Sequence, residues 1–283
     1  MSARLDRRRL GETGLEVTPL ALAFGSVRGS APKGPALTAD DVENAYHQHG
    51  INTFFVPAAH KVVIEGVRRL IEAGHRDDLV LVGMASLPFG RSVVRSWGRH
   101  AEALGVERLD VFLLGWIQAR WYLTGRTWGA LRRLKEQGMV RAIGWSIHKR
   151  PLAARLAREF EPDVMMIRYN AAHRGAETDV FEELGSDCPA ILAYTATRWG
   201  RLLQPVPEAG FDEGLSAATC YRFALSHPAV AATMCAARSG DELAEDVAGV
   251  LEGPIPPERM EYVRSFGDAV HADARGGQRW MFR

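Results

Sequence analysis

Cysteine is scarce in this chain: Cys188, Cys220 and Cys235 are the only three in 283 residues. An odd number without C-x-x-C spacing implies neither a disulfide framework nor a zinc site, and buried free thiols are the expected state. An excess of charge of one sign is missing as well, since 35 basic side chains stand against 34 acidic ones for a net charge of +1. Nucleic acid and anionic membranes are recognised by clustered Lys and Arg that neutralise phosphates, so neither is an expected partner. Long apolar runs are absent: no window reaches the ~18 uninterrupted apolar residues of a membrane-spanning helix, and the opening MSARLDRRRLGETGLEV holds no apolar leader core. The expected location is the cytoplasm. The nine histidines are scattered, and the nearest pair, His47 and His49, diverges on a helix at i,i+2, so no metal is expected. Nor do repeats, low-complexity tracts or linkers divide the chain, and residues 1–283 are read as one domain, whose oligomeric state the sequence does not specify.

What is present is a rhythm. Short runs rich in Val, Leu, Ile and Phe alternate with longer amphipathic stretches, the pattern of repeated β-α units around a parallel sheet. Strands are expected at Leu20–Phe24, Ile51–Phe55, Leu79–Val82, Val111–Leu114, Ala142–Trp145, Val164–Arg168, Ile191–Tyr194 and Val230–Thr233. Helices are expected at 39–48, 61–73, 92–104, 127–137, 150–159, 176–186, 214–226 and 257–269, with an extra one over 239–250 after strand eight. Arg8-Arg9-Leu10 and Leu15-Glu16-Val17 flank a Gly-Glu-Thr-Gly turn and read as a hairpin that could plug a barrel. Eight units in one run favour a closed (β/α)8 TIM barrel over an open sheet. The first β-α loop, Gly25-Ser-Val-Arg-Gly-Ser, is not a G-x-G-x-x-G phosphate fingerprint.

Several segments carry a resemblance. The run from Arg8 to Val17, the approach Leu104-Gly-Val-Glu-Arg-Leu-Asp110, the strand-five segment Gly138 to Ser146, Arg168-Tyr-Asn-Ala-Ala-His-Arg174, Ala193-Tyr194 and Arg222 to Ala229 are similar, in order and spacing, to segments of the aldo-keto reductases. The resemblance spans about Arg8 to Val250 and implies a barrel that binds NADP. It also implies a tetrad in which a Tyr, helped by Lys and Asp, protonates a carbonyl while a nicotinamide gives hydride and a His orients the substrate. Here Asn52 to Lys61 puts Phe55 at the Asp position and His60 at the Tyr, while Met84 stands for the Lys and Gly115 for the His. The chain thus resembles a divergent member without the tetrad, and positioned acid catalysis is worth about 10²–10⁴ in rate. The resemblance assigns Ser146 and Tyr194 to nicotinamide contacts, with Ile147 and Met166 in place of the usual amides. It assigns Arg238, Ser239, Glu245 and Asp246 to the adenosine phosphate end.

Barrel active sites lie at the C-terminal strand ends. Residues there make an aromatic mouth with few polar groups, and Phe55, Met84, Trp116, Trp145 and Tyr169 are read as lining for a small-molecule ligand. His60 and His148 are the acid-base candidates, because imidazole titrates near neutral pH. Arg168 could hold an anion, although a structural Arg-Tyr-Asn motif is the simpler reading. The expected function is a small-molecule enzyme with a rebuilt site, either a noncanonical NADP-linked oxidoreductase or a His-assisted non-redox catalyst. The alternative is an inactive barrel that binds a metabolite, nucleotide or protein.

Overall fold

A computed structural model describes residues 4–23, 36–56 and 60–277 of the chain, without the side chains of 274–277. A short antiparallel hairpin, β1 (Arg8–Arg9) and β2 (Glu16–Val17), pairs Arg8 with Val17 and Arg9 with Glu16. Then follow β3 (Leu20–Leu22), β4 (Thr53–Phe55), β5 (Val80–Ala85), β6 (Leu109–Ile117), β7 (Val140–Ile147), β8 (Val164–Arg168), β9 (Ala190–Tyr194) and β10 (Val230–Cys235). These eight are parallel neighbours in sequence order, and β10 returns to β3 to close the barrel. Between them run α1 (Ala39–His47), α2 (Lys61–Glu72), α3 (Gly90–Leu104), α4 (Gly125–Glu136), α5 (Arg150–Phe160) and α6 (Ala217–Leu225), followed by α7 (Gly240–Leu251) and α8 (Pro257–Gly277). The barrel, the hairpin and the extra helix are as the sequence pattern predicts. The first β-α loop and the end of the tail, 278–283, lie outside the described residues.

Strand side chains alternate between two faces, which divides the core in two. Val80, Val82, Val111, Leu113, Ala142 and Leu192 fill the barrel interior. Leu81, Phe112, Leu114, Ile143 and Trp145 point outward into the layer under the helices. Leu10, Leu15 and Val17 of the hairpin join the interior cluster, so the barrel's N-terminal end is plugged. That end is also pinned electrostatically. The buried Asp110 carboxylate accepts the Leu81 amide at 2.9 Å and lies 3.1 Å from Arg76. Four helices begin on short side-chain caps, Thr38 on α1, Thr124 on α4, Ser216 on α6 and Ser239 on α7, each accepting a first-turn amide.

One expected helix is corrected. Residues 176–186 do not form a single α-helix; Glu177–Glu182 take a π turn and Gly185–Asp187 a 3₁₀ turn. The wider turn keeps Val180 and Phe181 buried while Glu177 faces Tyr169 and Arg264. The strands β7 and β8 approach closely at Gly144, where a Cβ would overlap the carbonyl oxygen of Val164. Gly144→Ala should therefore cost more than about 3 kcal/mol or prevent folding, which urea denaturation of the purified variant would measure.

Candidate functional site

The C-terminal mouth of the barrel has two unlike arcs. Over β4–β6 it is apolar. Phe55 ends β4 pointing inward and is buried, and Met84 on β5 packs onto the same interior cluster. Met84 and Gly115 are coupled, because a Cβ at Gly115 would stand 2.8 Å from the Met84 sulfur. The methionine thus fills the room that the glycine leaves. Beyond Gly115, the β6–β7 pairing slips by one residue between Leu114 and Ile117, a bulge in which Trp116 adopts φ 53°. Left-handed backbone in a tryptophan is strained, and such outliers persist where the surrounding structure holds them. The result is an indole 47% exposed at the rim.

Over β7–β9 the arc is polar. Ser146 is the last inward residue of β7 and is buried. His148 follows the strand, and its Nδ1 lies 2.9 Å from the Tyr194 hydroxyl at the end of β9, with the two rings edge to face. Ser146 faces the same hydroxyl. Burial lowers the imidazole pKa below its ordinary 6.5, and the Arg168 guanidinium lowers it further. Burial raises the Tyr194 pKa well above 10. Both groups are therefore neutral at pH 7. Arg168, the inward C-terminal residue of β8, pairs in register with Tyr194.

Other expected site residues are elsewhere. Trp145 does not line the mouth: it is 0% exposed and stacks edge to face with Trp128 of α4 in the outer layer. Its neighbours Gly144 and Ser146 face inward, so the period of two turns Trp145 away. Tyr169 is corrected for the same reason. One residue beyond inward Arg168, it is 1% exposed among Phe181 and Phe223, and its hydroxyl donates to Glu177 at 2.8 Å. His60 immediately precedes α2, half-buried, with its pKa lowered by burial. It lies in the β4–α2 loop on the apolar arc, whereas His148 meets Tyr194 across β7–β9. Lys61 begins α2. His173 lies 3.3 Å from the Asn170 side-chain oxygen and rests against His271 of α8, and its pKa is pushed down to about 3, mainly by burial.

The residues expected at an adenosine phosphate cluster at the start of α7. Arg238 donates to both Glu242 carboxylate oxygens, at 2.7 Å for the closest, and its amide donates to the same group. Ser239 spends its hydroxyl on the Glu242 amide as helix cap. Glu245 is exposed on the helix. Asp246 is corrected from ligand contact to interior: it is 6% exposed, accepts from the Cys235 thiol at 3.5 Å, and burial lifts its carboxyl to about 7. The Asp41 carboxylate of α1 sits close over Gly240. The cation that would meet a nucleotide phosphate is thus already matched, with a second carboxylate beside it. At this end the residues do not fit NADP as they stand. Ser146 and Tyr194, the residues expected at a nicotinamide, share the β7–β9 arc, the latter with its hydroxyl tied to His148.

In the loop after β9, Thr195, Arg198 and Trp199 all have positive φ and Arg198 donates to the Val270 carbonyl of α8. Three left-handed non-glycine residues in five positions have no signal in residue type.

A model of the aldo/keto reductase family matches residues 85–205. No curated protein matches the chain. Among solved structures, aldo-keto reductase AKR11C1 from Bacillus halodurans in its holo form is similar at a TM-score of 0.76 and 16% identity, over 94% of this chain and 97% of that one. A structure from Pseudomonas aeruginosa assigned to the aldo-keto reductases is similar at 0.68 and 21%, over 87% of this chain and 94% of the other. At these identities the likeness is one of fold. Among the described residues no helix is long and apolar enough to cross a membrane. The matched family segment thus lies inside a closed barrel whose fold is that of solved aldo-keto reductases.

Proposed function

We propose that this chain is a small-molecule enzyme with a rebuilt active site, in which His148 and Tyr194 move protons without a hydride donor. The observation that carries the reading is the 2.9 Å contact between the Tyr194 hydroxyl and His148 Nδ1, on the arc opposite the apolar replacements Phe55, Met84 and Gly115. A neutral imidazole is a base and a neutral phenol is a donor. In the Nδ1–H tautomer His148 donates to the Tyr194 oxygen, which leaves Nε2 as the base, and the phenol hydrogen, held only by a long 3.4 Å contact to the Ile147 carbonyl, can turn to a substrate oxygen. Such a pair suits proton transfer at a carbon next to a carbonyl. The C–H bond breaks, its proton passes to Nε2, and the enolate oxygen is stabilised by the phenol before the proton returns.

A second reading, an NADP-linked oxidoreductase, draws on Ser146 and Tyr194 as nicotinamide contacts and on the holo form of the Bacillus relative. The matched charges at Arg238 weigh against it. Titration of the purified protein with NADPH, followed by calorimetry and by tryptophan quenching, should show no saturation up to about 0.1 mM. Binding at low micromolar concentration would overturn the proton-only reading and favour hydride chemistry. A third outcome, no conversion of any enolisable carbonyl compound, would leave the barrel as a binder.

A further inference from the structure

The charge balance of the mouth points to the kind of molecule it takes. Arg168 sits on the barrel wall itself, half-buried, and its Nε is closed off from solvent without an acceptor. Its guanidinium makes neither hydrogen bond nor ion pair among the described residues. The carboxylates of the surrounding loops are engaged elsewhere: Asp179 with Arg150, Asp268 with Arg174, Asp273 with Arg201, and Glu177 with Tyr169 and Arg264. The groups that feel Arg168 electrostatically are His148, Arg150, His173, Tyr194 and Arg198, all neutral or positive. Among the described residues Arg198 has no ion pair either, its guanidinium donating to the Val270 carbonyl. A half-buried guanidinium is ordinarily matched, because removing the ion from water is costly.

We propose that Arg168 is the anchor for an anionic head group, and that the ligand of this mouth is a small carboxylate with an apolar, aromatic body. This rests on the proposed acid-base site at β7–β9, whose substrate the carboxylate would orient. The planar fork of arginine matches a carboxylate with two parallel hydrogen bonds. One inward guanidinium suits a monoanion better than a phosphate, since Arg198 is turned to the Val270 carbonyl. Phe55, Met84 and the exposed Trp116 give the opposite arc the surface that an aromatic ring would cover.

Calorimetry on the full chain with benzoate, phenylpyruvate, benzamide and inorganic pyrophosphate tests this. At least one carboxylate should bind ten times or more tighter than benzamide, and Arg168→Gln should weaken that carboxylate at least about tenfold. Because Arg168 gives up no internal bond, the variant should melt at or above the wild-type temperature. The proposal is overturned if neither carboxylate binds, if benzamide binds equally well, or if Arg168→Gln binds the carboxylate as tightly as wild type. A fall of more than about 5 °C in the variant would mark a structural arginine and overturn it too. Pyrophosphate binding that is tighter than either carboxylate and lost in Arg168→Gln would reassign the anion to a nucleotide. The readout is binding alone, so failure of the proton-transfer reading in a turnover assay leaves this result separately decided.

Discussion

Replacing Tyr194 with Phe should lower kcat by about 10²–10⁴ in the conversion that the wild type catalyses, and His148→Ala should do the same. The two groups share one hydrogen bond at 2.9 Å and act as a unit, so the double variant should be scarcely worse than either single one. Stability should change little, because the Tyr194 hydroxyl meets His148 at 2.9 Å and the Ile147 carbonyl only at 3.4 Å, and each such hydrogen bond is worth about 0.5–1.5 kcal/mol. The pH profile carries a sign. Burial and Arg168 hold the His148 imidazole below its usual 6.5, so the base stays neutral and kcat/KM should hold down to below pH 6.5 before its acid limb falls. Steady-state rates from pH 5 to 8 read this directly. Full activity in either single variant would remove the pair from the mechanism.

The second large effect concerns stability. Asp246→Asn should stabilise the protein by roughly 2–4 kcal/mol at pH 8 and hardly at all at pH 4. Asp246 is buried beneath α7 against Cys235, and its carboxyl is raised to about 7 from 3.8. The folded state therefore binds this proton more tightly than the unfolded state. Stability is kept below pH 3.8 and lost as pH rises through 7, when the carboxylate must ionise in the interior. Asparagine has nearly the same shape and no charge to bury. Melting curves of both proteins at pH 4 and 8 should diverge by roughly 5–10 °C only at the higher pH. Equal curves at both would show that the carboxyl ionises without penalty.

Much of the barrel was legible because its signals are periodic. All eight strands fall where runs such as Val164–Arg168 and Ile191–Tyr194 predict them, and Leu10, Leu15 and Val17 plug the interior as the hairpin pattern predicts. The positions of Phe55, Met84 and Gly115 were also readable, since they lie near the C-terminal ends of β4, β5 and β6. Facing was read less well. Trp145 and Tyr169 stand beside strand ends and are aromatic, yet each lies one residue from an inward neighbour and so points out; counting by twos from Ser146 or Arg168 would have turned both away. Asp246 went astray in a related manner, because which side of α7 it takes depends on how the helix docks against β10. Two features had no sequence signal. A bulge that lifts Trp116 into left-handed backbone arises from the β6–β7 register, and the lack of a carboxylate paired with Arg168 among the described residues is a property of the assembled loops.

The most direct measurement of the proton-transfer account is solvent exchange without any nucleotide. Phenylpyruvate would be incubated with the purified protein in D₂O, and loss of its methylene signal followed by proton NMR against a protein-free control. The account expects protein-dependent washout that His148→Ala and Tyr194→Phe abolish and that NADPH does not accelerate. No washout by the wild type, with NADPH consumed to reduce the carbonyl instead, would contradict it and return the site to hydride chemistry.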